Sequence, residues 1–362
     1  MNYSIIIPVY NRPDEVDELL TCLEGQTLKG FEVIIVEDGS AKDCKAVVER
    51  HADRLVCRYY AKANSGPGPS RNYGADRAVG QCFIVLDSDV VLPPGYLEAV
   101  DRALREEPCD AFGGPDRAHP DFTVTQKAIN YAMTAFLTTG GIRGGRRQME
   151  KFHPRSFNMG VMADTWKKLG GFAPMRFGED IDFSMRLMES GARVRLIPEA
   201  WVWHKRRTDF RKFFRQVHNS GMARIHLMKR HPGSLKLVHT LPALFTLGVG
   251  MLALMFLVGL VLTVIGLYAG FFGGTGCNMG LIVAFIGGGV MALALLPLLL
   301  YATALCIDSA VQNRSLKVGL MSVPASFIQL TGYGTGFLRA WWSRCVRGEE
   351  EEKEAFKKNF YA

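Results

Sequence analysis

No Asp, Glu, Lys, Arg or His occurs between Leu241 and Ile307 in this 362-residue chain. That absence excludes a water-exposed surface for the stretch, and at roughly 20 apolar residues per crossing it accommodates two membrane spans. Pro242 near its start and the run Gly273 to Asn278 (GGTGCN) punctuate it, which predicts spanning helices over Leu241–Phe271 and Leu281–Cys306. The connecting turn also lacks cations. By contrast Lys205, Arg206, Arg207, Arg211, Lys212, Arg215, Arg224, Lys229, Arg230 and Lys236 precede the first span, and Arg314 and Lys317 follow the second. The positive-inside rule then puts both flanks in the cytoplasm. The opening MNYSIIIPVYN lacks the basic leader and long apolar core of a signal peptide. The expected layout is a cytoplasmic domain at 1–235, ending in a basic membrane-proximal helix (204–236). Two spans follow within 237–307, then an amphipathic interfacial segment with a charged tail (308–362), the whole on the inner (cytoplasmic) membrane.

Two further absences narrow the class. The eight cysteines (Cys22, Cys44, Cys57, Cys82, Cys109, Cys277, Cys306, Cys345) form no C-x-x-C pair, which excludes a zinc knuckle and leaves buried or free thiols of a reducing compartment. No nucleic-acid-binding motif accompanies the net charge of +8, which comes from the membrane-proximal region and is assigned to anionic lipid.

What is present ahead of the apolar stretch is an alternation of short β-branched runs with helical patterns. Tyr3 to Pro8, Phe31 to Val36, Leu55 to Tyr60 and Cys82 to Leu86 read as strands, with helices over Pro13–Gln26, Pro69–Val79 and Thr123–Thr138. Such alternation predicts an α/β domain with a largely parallel sheet covered by helices. In these sheets ligands bind beyond the carboxyl ends of the strands. There the chain places Val9-Tyr10-Asn11, Glu37-Asp38-Gly39-Ser40 and Asp87-Ser88-Asp89. Thr139 to Lys151 (TGGIRGGRRQMEK) is glycine-rich and basic, and reads as either a mobile lid or a solvated loop.

Asp87 and Asp89 project to the same side of an extended chain. Two carboxylates so placed repel each other unless a cation lies between them, and Mg2+ or Mn2+ would resolve that repulsion. A second acidic cluster, Glu179-Asp180-Asp182 in FGEDIDF, stands before the helical run SMRLMESG. Acidic residues favour a first helical turn on electrostatic grounds alone.

Read in order, SIIIPVYNRPDEV, IIVEDGS, NSGPGPSRNYGADRAVG, VLDSD, SFNMGV, LGGF, FGEDIDFSMRLMESGARV and VWH resemble the motifs of a family 2 glycosyltransferase with the GT-A fold, over about Tyr3 to Arg230. The resemblance implies that Pro8, Tyr10, Asn11, Glu37 and Asp38 line a nucleotide pocket, Asp38 meeting base or ribose. It implies that Asn64, Gly66 and Arg71, with Asp87 and Ser88, lie beside the nucleotide and sugar, and that Asp87 and Asp89 hold the metal. Asp180 matches the general base, Glu179 its neighbour facing the acceptor, and His204 a histidine that in some relatives contacts metal or diphosphate. Glu37 stands where Asp is usual and Ser70 where Ala is common, and the Gln-x-x-Arg-Trp motif of processive synthases is missing. The implied reaction is inverting, metal-dependent transfer from a nucleotide sugar, a UDP-sugar by family frequency. The acceptor would be membrane-bound, probed first as a polyprenyl-linked glycan in cell-surface synthesis. Two rivals stay open: transfer to a polyprenyl phosphate itself, and a non-catalytic sugar-nucleotide-binding or scaffold role.

The basic run from Lys205 to Lys236 interleaves Phe210, Phe213, Phe214, Val217 and Met222, and reads as an interfacial helix resting on anionic lipid. In Leu316 to Trp342 the alternating Gly332, Gly334 and Gly336 indicate either close helix packing or a kinked surface helix anchored by Trp341 and Trp342, with a third full span as the rival.

Overall fold

The computed structural model describes residues 1–119, 121–140, 152–272 and 277–349. Most of the glycine-rich loop (141–151) and the tail from 350 onward lie outside the described residues. The first four strands are β1 (Tyr3–Val9), β2 (Phe31–Asp38), β3 (Val56–Lys62) and β4 (Cys82–Leu86), all parallel in the order β3-β2-β1-β4. Every residue of β1, β2 and β4 is buried, which is why they read as continuous apolar runs rather than alternating ones. β3 forms the edge and keeps a partly exposed face. Pro8 is tolerated within β1 because pairing with β4 ends at Ile6, so its missing N–H breaks no bond on that side.

Helices α1 (Pro13–Glu24), α2 (Lys45–His51) and α3 (Pro67–Ala75) make the crossovers. α1 begins with Pro13 and carries Asp14 and Glu15 in its first turn, burying Val16, Leu19, Leu20 and Leu23 on the sheet. α3 starts two residues earlier than its sequence pattern suggests, because Pro67 occupies the first turn where no N–H is needed. After β4 come β5 (Val90–Val91), α4 (Tyr96–Glu106), β6 (Ala111–Gly113), β7 (Asp116–Arg117), α5 (Val124–Thr134) and α6 (Phe136–Thr139). β8 (Asn158–Met162), α7 (Ala163–Leu169), α8 (Glu179–Glu189), β9 (Val194–Leu196) and β10 (Val202–His204) complete the domain. β8 joins antiparallel to β4, and β6 and β9 extend the main sheet to seven strands. A second sheet, β5-β10-β7, lies where β4 ends.

The chain then forms α9 (Phe210–Arg230), α10 (Leu237–Phe272), α11 (Cys277–Asn313) and α12 (Leu316–Trp341). Among the described residues, α10 and α11 are long and apolar enough to cross a membrane, and only 6% and 17% of their most apolar windows are buried. Core helices of a soluble domain would hide that surface, so the exposed apolar area points to membrane association.

Two expectations for the flanking helices change. Phe213 and Val217 of α9 do not face lipid; they are buried with Ala128, Ile129, Ala132 and Met133 of α5 and Ala325 of α12. α12 is no free strip on the membrane surface, since its glycines sit at helix crossings. A Cβ on Gly336 would come within 2.0 Å of the His218 carbonyl oxygen, and one on Gly334 within 2.3 Å of that of Pro242. Close packing is thus the role of the alternating glycines. Ser309 and Ser322 hydrogen-bond across α11 and α12 at 2.7 Å, and Tyr131 Oη donates to Asp308 at 2.6 Å, tying α5 to α11.

Candidate active site

The carboxyl end of β4 delivers Asp87 and, one turn on, Asp89. Arg71 of α3, only 3% exposed, donates from Nη2 to Asp87 Oδ1 at 2.6 Å and from Nη1 to Glu179 Oε1 at 3.0 Å. It therefore links the first acidic cluster to the second. Asp89 Oδ2 accepts from Arg12 at 2.6 Å, an interaction for which the only sequence hint is that Arg12 directly follows the β1 loop.

His204 reaches Asp89 through strand register. β10 pairs antiparallel with β5, His204 opposite Val90, which brings Nε2 to 3.3 Å from Asp89 Oδ1. Its ring stacks on Phe157 with centroids 4.8 Å apart. Ligand atoms of Asp87, Asp89 and His204 all lie within 4.8 Å of one another. Asp89 Oδ1 is buried and receives no well-aligned hydrogen bond. Burial would raise the Asp89 pKa, but His204 and Arg12 outweigh it and hold the carboxylate well below its usual range. Two carboxylate oxygens, that of Asp89 with an unfilled acceptor site, and an imidazole nitrogen fit a divalent ion of the Mg2+ or Mn2+ kind.

α8 opens at Glu179, behind Gly178 at φ 82°. That left-handed turn needs glycine, and a Cβ there would also stand 3.1 Å from Ala223 Cβ of α9. Asp180 lines the open cavity, with Arg155 Nη1 3.4 Å from its Oδ2 and the Ile181 N–H donating to its Oδ1 at 2.9 Å. Glu179 lines the same cavity, and its Oε1 accepts from Arg71. Asp182, read from sequence as an ordinary first-turn acid, is fully buried. Its Oδ2 accepts from Arg186 Nε at 2.9 Å, and its Oδ1 from Arg230 Nε at 2.9 Å and His231 Nε2 at 3.0 Å.

The residues expected around a nucleotide divide differently. Asp38 is fully buried and engaged by its own chain: Lys62 Nζ (2.6 Å), Ser65 N (2.9 Å) and Gly66 N (2.8 Å) all donate to its carboxylate, and Asn64 Nδ2 to its carbonyl (2.7 Å). Glu37 accepts from Ser40 and from Cys44 N (2.9 Å). Both acids brace loops rather than opening onto the cavity. Asn11, at φ 55°, accepts from Ala41 N and Lys42 N, holding the β1 and β2 loops together. Pro8, Tyr10, Asn64, Gly66 and Ser88 lie at these same strand ends.

One cavity of about 2210 Å³ is lined by Asp87, Asp89 and His204, by Glu179 and Asp180, and by Leu241 and Phe245 from the start of α10 and Tyr301 from the C-terminal third of α11. The profile described as "Glycosyl transferase family 2" matches residues 4–168. Over those residues the chain is similar to a family 2 glycosyl transferase domain. A "Pre-mycofactocin glycosyltransferase" of Mycobacterium tuberculosis is 29% identical over 238 residues, 63% of this chain and 48% of that protein. A "GalNAc(5)-diNAcBac-PP-undecaprenol beta-1,3-glucosyltransferase" of Campylobacter jejuni is 30% identical over 115 residues, 30% of this chain and 37% of that protein. The chain spans half or less of the length of these two curated relatives. Among solved structures, a mannosyltransferase of Pyrobaculum calidifontis in complex with GDP-Man and Mn2+ superposes with a TM-score of 0.55 at 14% identity, covering 94% of this chain and 87% of that one. That likeness establishes the fold of this domain as GT-A-like.

Glu179 gives the domain a pH signature. Burial pushes its carboxyl up to about 7 from 4.5, against the pull of Arg71 and with a push from Asp180. The folded state thus holds this proton more tightly than the unfolded chain. The stability it contributes is whole below about pH 4.5 and is lost as pH rises to about 7. Glu179→Gln, which can still accept from Arg71, is expected to flatten that loss. Melting temperatures of both proteins at about pH 5 and about pH 7.5 read it directly, and equal declines would count against the assignment.

Proposed function

We propose that this chain is an inverting, metal-dependent glycosyltransferase that moves a sugar from a nucleotide-sugar donor to a membrane-bound, polyprenyl-linked acceptor in cell-surface glycan synthesis. The observation that carries the reading is the one cavity that takes in Asp87, Asp89 and His204, Asp180, the start of α10 and Tyr301 of α11. Its layout suits an acceptor that approaches from the bilayer. Two similar proteins support it, one a glucosyltransferase named for an undecaprenol-linked acceptor and the other a mannosyltransferase solved with GDP-Man and Mn2+.

In this reading the catalytic domain spans 1–235 in the cytoplasm, α10 and α11 form a multi-pass anchor in the inner membrane, and 308–362 lies on the cytoplasmic side. Asp87, Asp89 and His204 would hold the divalent ion, which when bound supplies Lewis-acid stabilisation of the departing diphosphate. Pro8, Tyr10, Asn11, Asn64, Gly66 and Ser88 surround the nucleotide, with Glu37 and Asp38 fixing the loops that shape its site. Arg71 keeps Asp87 and Glu179 in register across the cleft. Asp180 accepts the proton of the acceptor hydroxyl as that oxygen bonds to the anomeric carbon. The bond from that carbon to the diphosphate breaks on the opposite face, so one displacement inverts the centre.

The test is to incubate membranes containing the protein with Mn2+, a panel of UDP- and GDP-sugars, and lipid-linked or soluble acceptors. Consumption of one sugar nucleotide with product on the lipid-linked acceptor is expected; product on soluble acceptors alone would overturn the membrane-acceptor reading. Asp89→Ala should weaken Mn2+-dependent nucleotide binding by at least about tenfold. Unchanged binding in a folded variant would remove Asp89 from the metal site.

A further inference from the structure

The arginines lining the cavity are almost all neutralised or answered. Arg12 pairs with Asp89, Arg155 with Asp180 and Arg206 with Asp116 at 2.6 Å, while Arg224 donates to the Ser234 carbonyl. Arg215 and Arg339 have exposed side chains that water can satisfy. Arg176 is different: it is half-buried, its Nε is shut off from solvent and, like that of Arg224, meets no hydrogen-bond acceptor among the described residues, and its guanidinium carbon lies over the Phe177 ring, 5.5 Å from the centroid. A cation with a buried, unanswered N–H is unfavourable by itself, and becomes favourable when an anion supplies the acceptor.

Its position is fixed from both sides. Met175 is buried with Ala173 and with Leu227 of α9, and Gly178 abuts Ala223 of the same helix. Arg176 is thus held in the wall of the same cavity four residues before Asp180, a cavity whose lining also includes the apolar Leu241 and Phe245. Resting on the lipid-linked acceptor reading above, we propose that Arg176 binds the phosphate or diphosphate that joins the acceptor sugar to its lipid. The lining offers each part of such an amphiphile a partner: Asp180 for a hydroxyl, Arg176 for an anionic linker, and Leu241 and Phe245 for an isoprenoid tail.

The test uses the purified full chain in neutral detergent with EDTA, so that no metal site contributes. Affinities for farnesyl diphosphate, farnesol and inorganic pyrophosphate are compared between wild type and Arg176→Gln. Farnesyl diphosphate should bind more tightly than either fragment, and Arg176→Gln should weaken it at least about tenfold while leaving farnesol unchanged. Arg176→Lys, which keeps the charge, should recover part of the loss, and a retained melting temperature excludes misfolding. Unchanged farnesyl diphosphate affinity in Arg176→Gln would overturn the subsite while the lipid acceptor reading stood. Farnesyl diphosphate binding no better than pyrophosphate would instead overturn the lipid source.

Discussion

Asp180→Asn is expected to lower sugar transfer by about 10²–10⁴-fold, the range for loss of a positioned general base, with metal-dependent nucleotide binding retained. The substitution is close to isosteric. An amide oxygen can keep the bond from the Ile181 N–H, at 2.9 Å in the native chain, so the first turn of α8 should survive. What disappears is the ability to accept a proton. Asp180 sits in the first turn of α8 with Arg155 Nη1 3.4 Å from its Oδ2, on the open cavity where an acceptor hydroxyl can reach it. The Glu179 carboxylate, by contrast, is held by Arg71. Single-turnover rates with saturating donor, alongside nucleotide affinity, separate the outcomes. If Asp180→Asn turned over at the native rate, another group would have to be the base.

The fold was legible where physical pattern and chain order coincide. β1, β2 and β4 are buried on both faces, so their apolar runs announced a parallel sheet, and the acids at their ends announced its ligand-binding edge. Side-chain partners were not legible, because they depend on register and on distant segments. Nothing near Asp38 shows that its carboxylate accepts the Ser65 and Gly66 N–H groups rather than facing a ligand. His204 was placed by motif, yet the reason it meets Asp89 is the β5–β10 pairing, which strands of two and three residues do not advertise. The apolar residues of α9 fit lipid and protein equally well by composition. The choice is made by α5 and α12, whose small residues and glycines let the helices close over Phe213 and Val217. Asp182 was the plainest case: a first-turn acid by position, but the anchor of α9 by contact.

Asp182→Ala is expected to cost about 3–5 kcal/mol, the loss typical of removing one partner from a buried ion cluster. The carboxylate is fully buried and receives three donors, one from its own helix and two from the end of α9. Without it, Arg230 and His231 would stay close together with no charge between them, and Arg186 would keep only its carbonyl acceptors on Leu169 and Gly171. Burial alone would raise the Asp182 pKa, but hydrogen bonds from His231, Arg186 and Arg230 prevail and hold it below 3.8. With a depressed folded value, the stability from this acid is present at neutral pH and is lost as pH falls through that value. Acid sensitivity below about pH 4 should therefore diminish in Asp182→Ala relative to the native chain. Arg230→Gln provides the second arm. If the cluster acts as a unit, the double variant should lose clearly less than the sum of the two single losses, whereas strict additivity would mean that Asp182 and Arg230 do not hold α8 and α9 together. Since α9 leads within a few residues into α10, and α8 begins with Glu179 and Asp180, this clamp fixes the proposed base relative to the first of the two long apolar helices. Loosening it should impair transfer to a lipid-linked acceptor more than hydrolysis of the donor by water, which needs no alignment with the bilayer.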